Sequence, residues 1–236
     1  MGHNGRVKWI AAGAVLSLTL AFGACGGGGE EDDLPQAQAL LAEAASAAKA
    51  LRSFHFRLVH ENGTTPAPMG LELVSAEGDA IPPDRLKAEL RAKAPGFGSV
   101  TVNVIGIGEE AWITNPFTRR WQKLPGATVR DIADPALIVN AVLQGLSEAK
   151  VVKRADIDGT ETYQIAGRLS SDALQVAMPS AERGRTVSVE VWVGVDDALA
   201  RRARIVGPLA AGEAADIVRQ VDLSRFDADV EIEPPE

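Results

Sequence analysis

Residues 134–150 read DPALIVNAVLQGLSEAK, and they decide the fold because they interrupt a chain that otherwise alternates with period two. Asp134 suits an N-cap and Pro135 a first helical position, so a helix is expected over Asp134–Ala149. Leu137, Ile138, Val139, Ala141, Val142, Leu143 and Leu146 spread around most of its circumference. A helix apolar nearly all round is enclosed on most sides, or faces something other than water.

Upstream of it the period is that of strands. In Ser53–His60, Phe54, Phe56 and Leu58 alternate with His55, Arg57 and Val59. Strand-like runs follow at Gly70–Glu77, at Arg85–Lys93 with Leu86, Ala88 and Leu90, and at Val100, Val102 and Val104. Ala111–Thr114 leads into the turn signal Asn115-Pro116, and Arg119–Leu124 carries Trp121. Ahead of these strands, Leu34–Arg52 places Leu40, Leu41, Ala44, Ala48 and Leu51 on one helical stripe, with Pro35 suited to its first turn.

Downstream, strands return. Lys150–Ile157 and Thr160–Leu169 flank Asp158-Gly159, a tight-hairpin signal. Ser171–Val176 reads as a short helix ending at Pro179, and Val187 to Val195 alternate. Leu199–Val206 and Ala215–Leu223 follow, with Val230 and Ile232 as a last short edge. The order is therefore helix, strands, helix, strands, with connections short enough for an antiparallel sheet. The expected class is α+β: a large curved antiparallel sheet whose few helices can cover only one face, a geometry that tends to leave a concave apolar space.

The first residues describe an export signal. Arg6 and Lys8 precede an uncharged apolar run from Trp9 to Phe22, and small Gly23 and Ala24 precede Cys25. As a helix that run spans about 21 Å, short of a hydrocarbon core of about 30 Å. It resembles a lipoprotein signal peptide, whose cleavage exposes a cysteine that receives diacylglycerol; Phe22 stands where such signals prefer Leu. Gly26–Gly29 and the acids Glu30–Asp33 then read as a tether. The expected organisation is a signal peptide at 1–24, a lipidated Cys25 with its linker at 25–33, and one domain at 34–236. The implied location is the extracytoplasmic face of a cell membrane.

Across 236 residues the net charge is −8, and loss of Arg6 and Lys8 with the signal makes the rest more acidic still. That balance argues against nucleic acid as a partner. Cys25 is the single cysteine, so its lipidation leaves no thiol for a disulfide or metal. His55 and His60, five apart on a strand, point to opposite faces, with a surface or rim place expected for them and no metal site.

Catalytic patterns dissolve in context. Gly106 to Ala111 fits a dinucleotide-binding spacing, but Trp112 to Pro116 reads as strand and turn where a helix must follow. Ser46-Ala47-Ala48-Lys49 and Ser147-Glu148-Ala149-Lys150 match Ser-x-x-Lys without its companion motifs. Asp156-Ile157-Asp158-Gly159 opens like a calcium loop that Tyr163 and Gln164 do not continue. Neither an enzyme nor a cofactor is expected.

The ordered segments SFHFRLVHENG from Ser53, GLELVSAEGDAIPPDRLKAEL from Gly70, VIGIGEEAWITNPFTRRWQKLPG from Val104 and DPALIVNAVLQGLSEAK from Asp134 are similar to the LppX/LprAFG family of envelope lipoproteins. DGTETYQIAGRLS from Asp158, VSVEVWVGVDDALARRARIVGP from Val187 and VDLSRFDADVEIEPP from Val221 continue the resemblance over nearly the whole chain after the signal. It implies a LolA-like fold, a curved antiparallel half-barrel with helices on the concave side enclosing an apolar cavity for the acyl chains of lipids or lipoglycans, and an anchor on Cys25. The candidates to touch lipid are Phe54, Phe56, Trp112, Trp121, Leu137 and Val142. The expected role is carriage of acyl lipids or lipoglycans across extracytoplasmic space, with an envelope transport partner. A sensor module using the same cavity and an exported enzyme with dispersed carboxylates stay open as alternatives.

Overall fold

Alternation becomes sheet wherever a strand can bury one of its two faces, and this chain does so along nearly its whole length. The structure, a computed structural model, describes residues 34–67, 70–126, 128 and 134–236. The signal segment, Cys25 and the tether lie outside the described residues. After helix α1 (Ala37–Ala50) come β1 (Phe54–Asn62), β2 (Thr65–Ala67), β3 (Leu71–Ile81), β4 (Arg85–Ala94), β5 (Gly98–Ile107), β6 (Glu110–Thr114) and β7 (Trp121–Lys123). Helix α2 (Pro135–Gly145) leads into β8 (Leu146–Ile157), β9 (Thr160–Ser170), β10 (Thr186–Gly194), β11 (Ala200–Val206) and β12 (Val218–Ser224).

The strands form one open 12-stranded sheet in the order β7-β6-β5-β4-β3-β1-β12-β11-β10-β9-β8, with β2 attached to β3. Two meanders are joined where β1 pairs with β12, His55 opposite Ser224 and His60 opposite Arg219. The α+β antiparallel architecture expected from the alternation is the one observed. Leu34–Glu236 forms a compact unit with a hydrophobic core of its own, as a segment that folds independently requires.

Two glycines show how tightly the chain is drawn. A Cβ on Gly78 of β3 would lie 2.2 Å from the Lys87 carbonyl oxygen of β4, so only glycine permits that approach. Gly159, at φ +82°, completes the β8–β9 turn with Asp158 at φ +51°, the positive pair that a tight hairpin demands.

Several boundaries differ from those the sequence suggests. Helix α1 begins at Ala37 behind Gln36, leaving Pro35 outside its first turn. Helix α2 stops at Gly145 rather than Ala149: Leu146 pairs with Leu169 and Ser147 with Arg168, so strand pairing overrides local helical preference. Gly145 is pressed there against Ala173 and Leu169, each 2.9 Å from where its Cβ would stand. Thr65–Ala67 is an unforeseen strand, short and interrupted by Pro66, and it pairs on one side only. Val230 and Ile232 form no strand; Ile232 is instead buried, and its carbonyl accepts a hydrogen bond from Arg85 Nη1 at 3.1 Å.

Candidate functional site

Antiparallel partners share a face, so the register sorts side chains without ambiguity. Phe56 faces Gly78, which faces Ala88, then Val104, then Ile113. On the other meander Leu58 continues through Val221, Ala203, Val191 and Ile165. This side is apolar and carries α1 and α2. Phe54, Phe56, Val189, Ile165, Leu41 and Val142 belong to one buried cluster that spans sheet and helices.

The opposite side is charged. His55 faces Asp79 and Lys87, Arg57 faces Glu77 and Glu89, and Arg202 faces Asp222. Arg204 reaches both Glu61 at 3.1 Å and Glu190 at 4.0 Å. Exposed pairs of this kind add little stability individually, but their alternation with the apolar face fixes which side meets water. Two open grooves lie on this charged side. One, of about 400 Å³, is lined by His55, Glu77, Asp79, Lys87, Glu89 and Trp121; the other, of about 560 Å³, by Arg57, Arg201, Arg202, Asp222 and Arg225 among others. Their walls suit ions and polar groups rather than hydrocarbon.

The residues singled out as lipid contacts are therefore divided. Phe54, Phe56 and Val142 all belong to the core cluster on the helix side. Leu137 is half-buried on α2 and outside that cluster. Trp112 pairs with Ile105 and Lys123, and Trp121 with Thr114, a register that puts both tryptophans on the charged side. The Lys123 ammonium rests 5.6 Å from the centre of the Trp112 ring. Trp112 and Trp121 alternate in phase with His55 rather than with Phe54, which the isolated sequence of a short strand does not reveal.

Helix α2 is built as anticipated at its start and unusual in its burial. The Asp134 carboxylate accepts from the Leu137 amide at 3.0 Å, and Pro135 occupies the first turn. Yet Val142 and Leu143 are its only fully buried residues, while Ala136, Leu137, Ile138, Val139 and Ala141 keep partial contact with solvent. Asn140 sits among them, donating Nδ2–H to the Ala136 carbonyl at 3.0 Å and leaving Oδ1 buried without a partner among the described residues.

One polar cluster interrupts the apolar side. Glu213 and Arg219 form an ion pair at 2.6 Å with side chains 0% and 7% exposed. Glu213 also accepts from the Thr65 hydroxyl at 2.6 Å and from the Leu209 and Ala210 amides. His60, opposite Arg219, contacts the Val74 carbonyl through Nδ1 and Thr65 through Nε2, at 2.9 and 2.8 Å. Burial pushes the His60 pKa down, with Arg219 adding to it against the Val74 carbonyl. For Glu213 burial pushes up, but the Thr65 hydroxyl, the Arg219 guanidinium and the Leu209 amide together leave it below the ordinary carboxylate value. His60 and His55 do face opposite ways, but His60 is buried rather than at a surface or rim. A signal for the cluster was present: Arg219 occupies an apolar slot between Ile217 and Val221. Among the described residues, no three His, Cys, Asp or Glu side chains converge as a metal site.

A family model described as LppX_LprAFG lipoprotein matches residues 36–232. The "Lipoarabinomannan carrier protein LprG" of Mycobacterium tuberculosis is 28% identical over 198 residues, covering 81% of this chain and 80% of the relative. Its namesake from Mycolicibacterium smegmatis is 28% identical over 193 residues, covering 78% and 80%. Among solved structures, LprF from Mycobacterium bovis superposes with a TM-score of 0.65 at 18% identity, over 84% of this chain and 96% of that one. Mycobacterium tuberculosis LppX gives 0.58 at 19% identity, over 84% and 98%. These two show a shared fold.

Proposed function

This chain belongs to the LppX_LprAFG lipoprotein family, and from that premise we propose that it binds acyl lipids or lipoglycans between α2 and the apolar side of the sheet. It carries them through extracytoplasmic space while a diacylglyceryl group on Cys25 holds it to the outer face of the cell membrane. The observation that carries this reading is α2 itself: a helix apolar almost all round, fully buried at Val142 and Leu143 alone, lying over an apolar sheet face. Such a helix has unspent apolar surface to offer a hydrocarbon chain. The relatives named as lipoarabinomannan carriers support the same class of ligand, an acylated glycolipid.

The energetics set the demand. Each exposed CH₂ costs about 0.8 kcal/mol, so a 16-carbon chain left bare in water costs on the order of 12 kcal/mol. A carrier has to replace that exposure with side-chain contact. Phe54, Phe56 and Val142 supply the floor and roof, and α2 shifts outward to admit the chain, with Leu137 closing against it. The charged side, where Trp112 and Trp121 stand, stays in water. Anchorage by two acyl chains is firm where one is marginal.

The test is to express residues 34–236, which carry their own core, purify them without detergent and extract them for mass spectrometry. A stoichiometric acyl lipid is expected. Empty protein that also takes up no fluorescent acyl lipid overturns the reading.

A further inference from the structure

Four large apolar side chains stand exposed among the described residues: Phe97, Phe117, Val152 and Val176. Phe97 and Phe117 are 71% and 60% exposed although they touch each other, ring centres 4.9 Å apart and tilted by 60°. They come from different turns. Phe97 lies between β4 and β5, and Phe117 between β6 and β7; the antiparallel register of these four strands brings both turns to the same end of the sheet.

Both turns are held in shape. The Phe97 amide donates to the Ala94 carbonyl at 3.0 Å. Asn115 Oδ1 accepts from the amides of Phe117 and Thr118 at 3.0 and 2.9 Å, and the Arg119 amide donates to the Asn115 carbonyl at 2.8 Å. Closed turns of this kind display the two rings instead of folding them inward. Their charge also departs from the rest of the chain. The tips read APGFG from Ala94 and NPFTRR from Asn115, without one acidic residue, in a protein of net charge −8. Arg119 and Arg120 are exposed, and among the described residues neither guanidinium has an acidic partner.

We propose that the Phe97–Phe117 pair is a membrane-docking tip that inserts into the interfacial layer of an anionic bilayer while Arg119 and Arg120 engage its headgroups. Aromatic rings favour the boundary between hydrocarbon and headgroups, and unpaired cations beside them are attracted by the negative surface potential of such a bilayer. The combination of apolar wedge and flanking arginines matches that layered chemistry, whereas a protein partner gives no reason for the absence of acids from both tips. This goes beyond lipid carriage and stands whether or not an acyl chain binds beneath α2.

Cys25 is the single cysteine of the chain, so residues 34–236 with Phe97→Cys or Phe117→Cys hold one thiol each. Each is labelled with an environment-sensitive fluorophore and mixed with phosphatidylcholine vesicles, with or without phosphatidylglycerol, at millimolar lipid. A Val152→Cys label on β8, also exposed, is the reference. The labels at 97 and 117 are expected to brighten, shift to the blue and be quenched by brominated acyl chains, most strongly with phosphatidylglycerol present, while the label at 152 does not respond. With unlabelled protein, Phe97→Ser with Phe117→Ser, or Arg119→Gln with Arg120→Gln, is expected to lower vesicle co-sedimentation several-fold. Labels at 97 and 117 that stay aqueous or respond no more than 152, or unchanged sedimentation of the double serine variant, overturn the proposal. Lipid co-purifying with the protein is read separately, so failure here leaves the carrier reading untouched.

Discussion

Helices α1 and α2 share one side of one sheet and are used in opposite ways. Helix α1 is an ordinary amphipathic helix: Ala37, Leu41, Ala44, Ala45 and Ala48 are buried, Leu40 is half-buried beside them, and the rest is polar or small. Helix α2 is richer in large aliphatic residues yet fully buries only Val142 and Leu143. By hydrophobicity alone α2 should be the better buried of the pair. That it is not sets α1 in the structural core, whereas α2 keeps apolar surface uncovered, the surface the proposed acyl ligand would take.

The largest expected effect breaks the comparison at its strongest point. Leu41→Ala in α1, at a side chain 4% exposed, should lower unfolding stability by about 2–5 kcal/mol, read by urea or thermal denaturation. Leu137→Ala in α2 should cost no more than about 1 kcal/mol, yet reduce uptake of a fluorescent acyl lipid several-fold. If Leu137→Ala proves as destabilising as Leu41→Ala, α2 is core and the contrast is lost.

Acid sharpens it next. The packing of α1 does not titrate, but the buried cluster across the sheet does. His60, with its pKa lowered in the fold, binds its proton less readily than in the unfolded chain, so stability is full above about 6.5 and declines as pH drops below that value. Glu213, also lowered, contributes above about 4.5 and loses that contribution as pH falls through its folded value. Both losses run the same way. Unfolding midpoints followed from neutral pH downward should fall, and Glu213→Gln should flatten the more acidic part of the curve. A midpoint independent of pH across that range contradicts the assignment.

The smallest effect is close to none. Trp112, Trp121 and Trp192 lie on the charged side, Trp192 opposite Arg202 and Gln164. Intrinsic tryptophan emission of residues 34–236 should therefore hardly change on lipid loading, while a Leu137→Trp variant shifts to the blue. A large native shift would move the lipid to the other side of the sheet.

Much of this was legible in the residues. Period-two runs such as Phe54, Phe56 and Leu58 and the Asp158-Gly159 turn give most strands, while the Leu40, Leu41, Ala44 stripe and the Asp134-Pro135 start give α1 and α2. What the sequence conceals depends on distant pairing. Leu146 to Ala149 reads as helix and becomes strand because β9 lies alongside it. Trp112 and Trp121 read as apolar lining because a short strand does not declare its face, and the register across β4 to β7 turns them outward. Arg219 sits in an apolar slot between Ile217 and Val221, a local sign of burial, but its partner Glu213, six residues earlier, carries no such sign until β12 is set beside β1.

The central claim is that hydrocarbon lodges between α2 and the apolar side of the sheet. A photoactivatable fatty acyl probe, cross-linked to residues 34–236 and mapped by peptide mass spectrometry, tests it most directly. The account predicts adducts on peptides holding Leu137, Val142, Phe54 and Phe56. Adducts confined to the charged grooves around Trp121, Lys87 and Arg202 would contradict it.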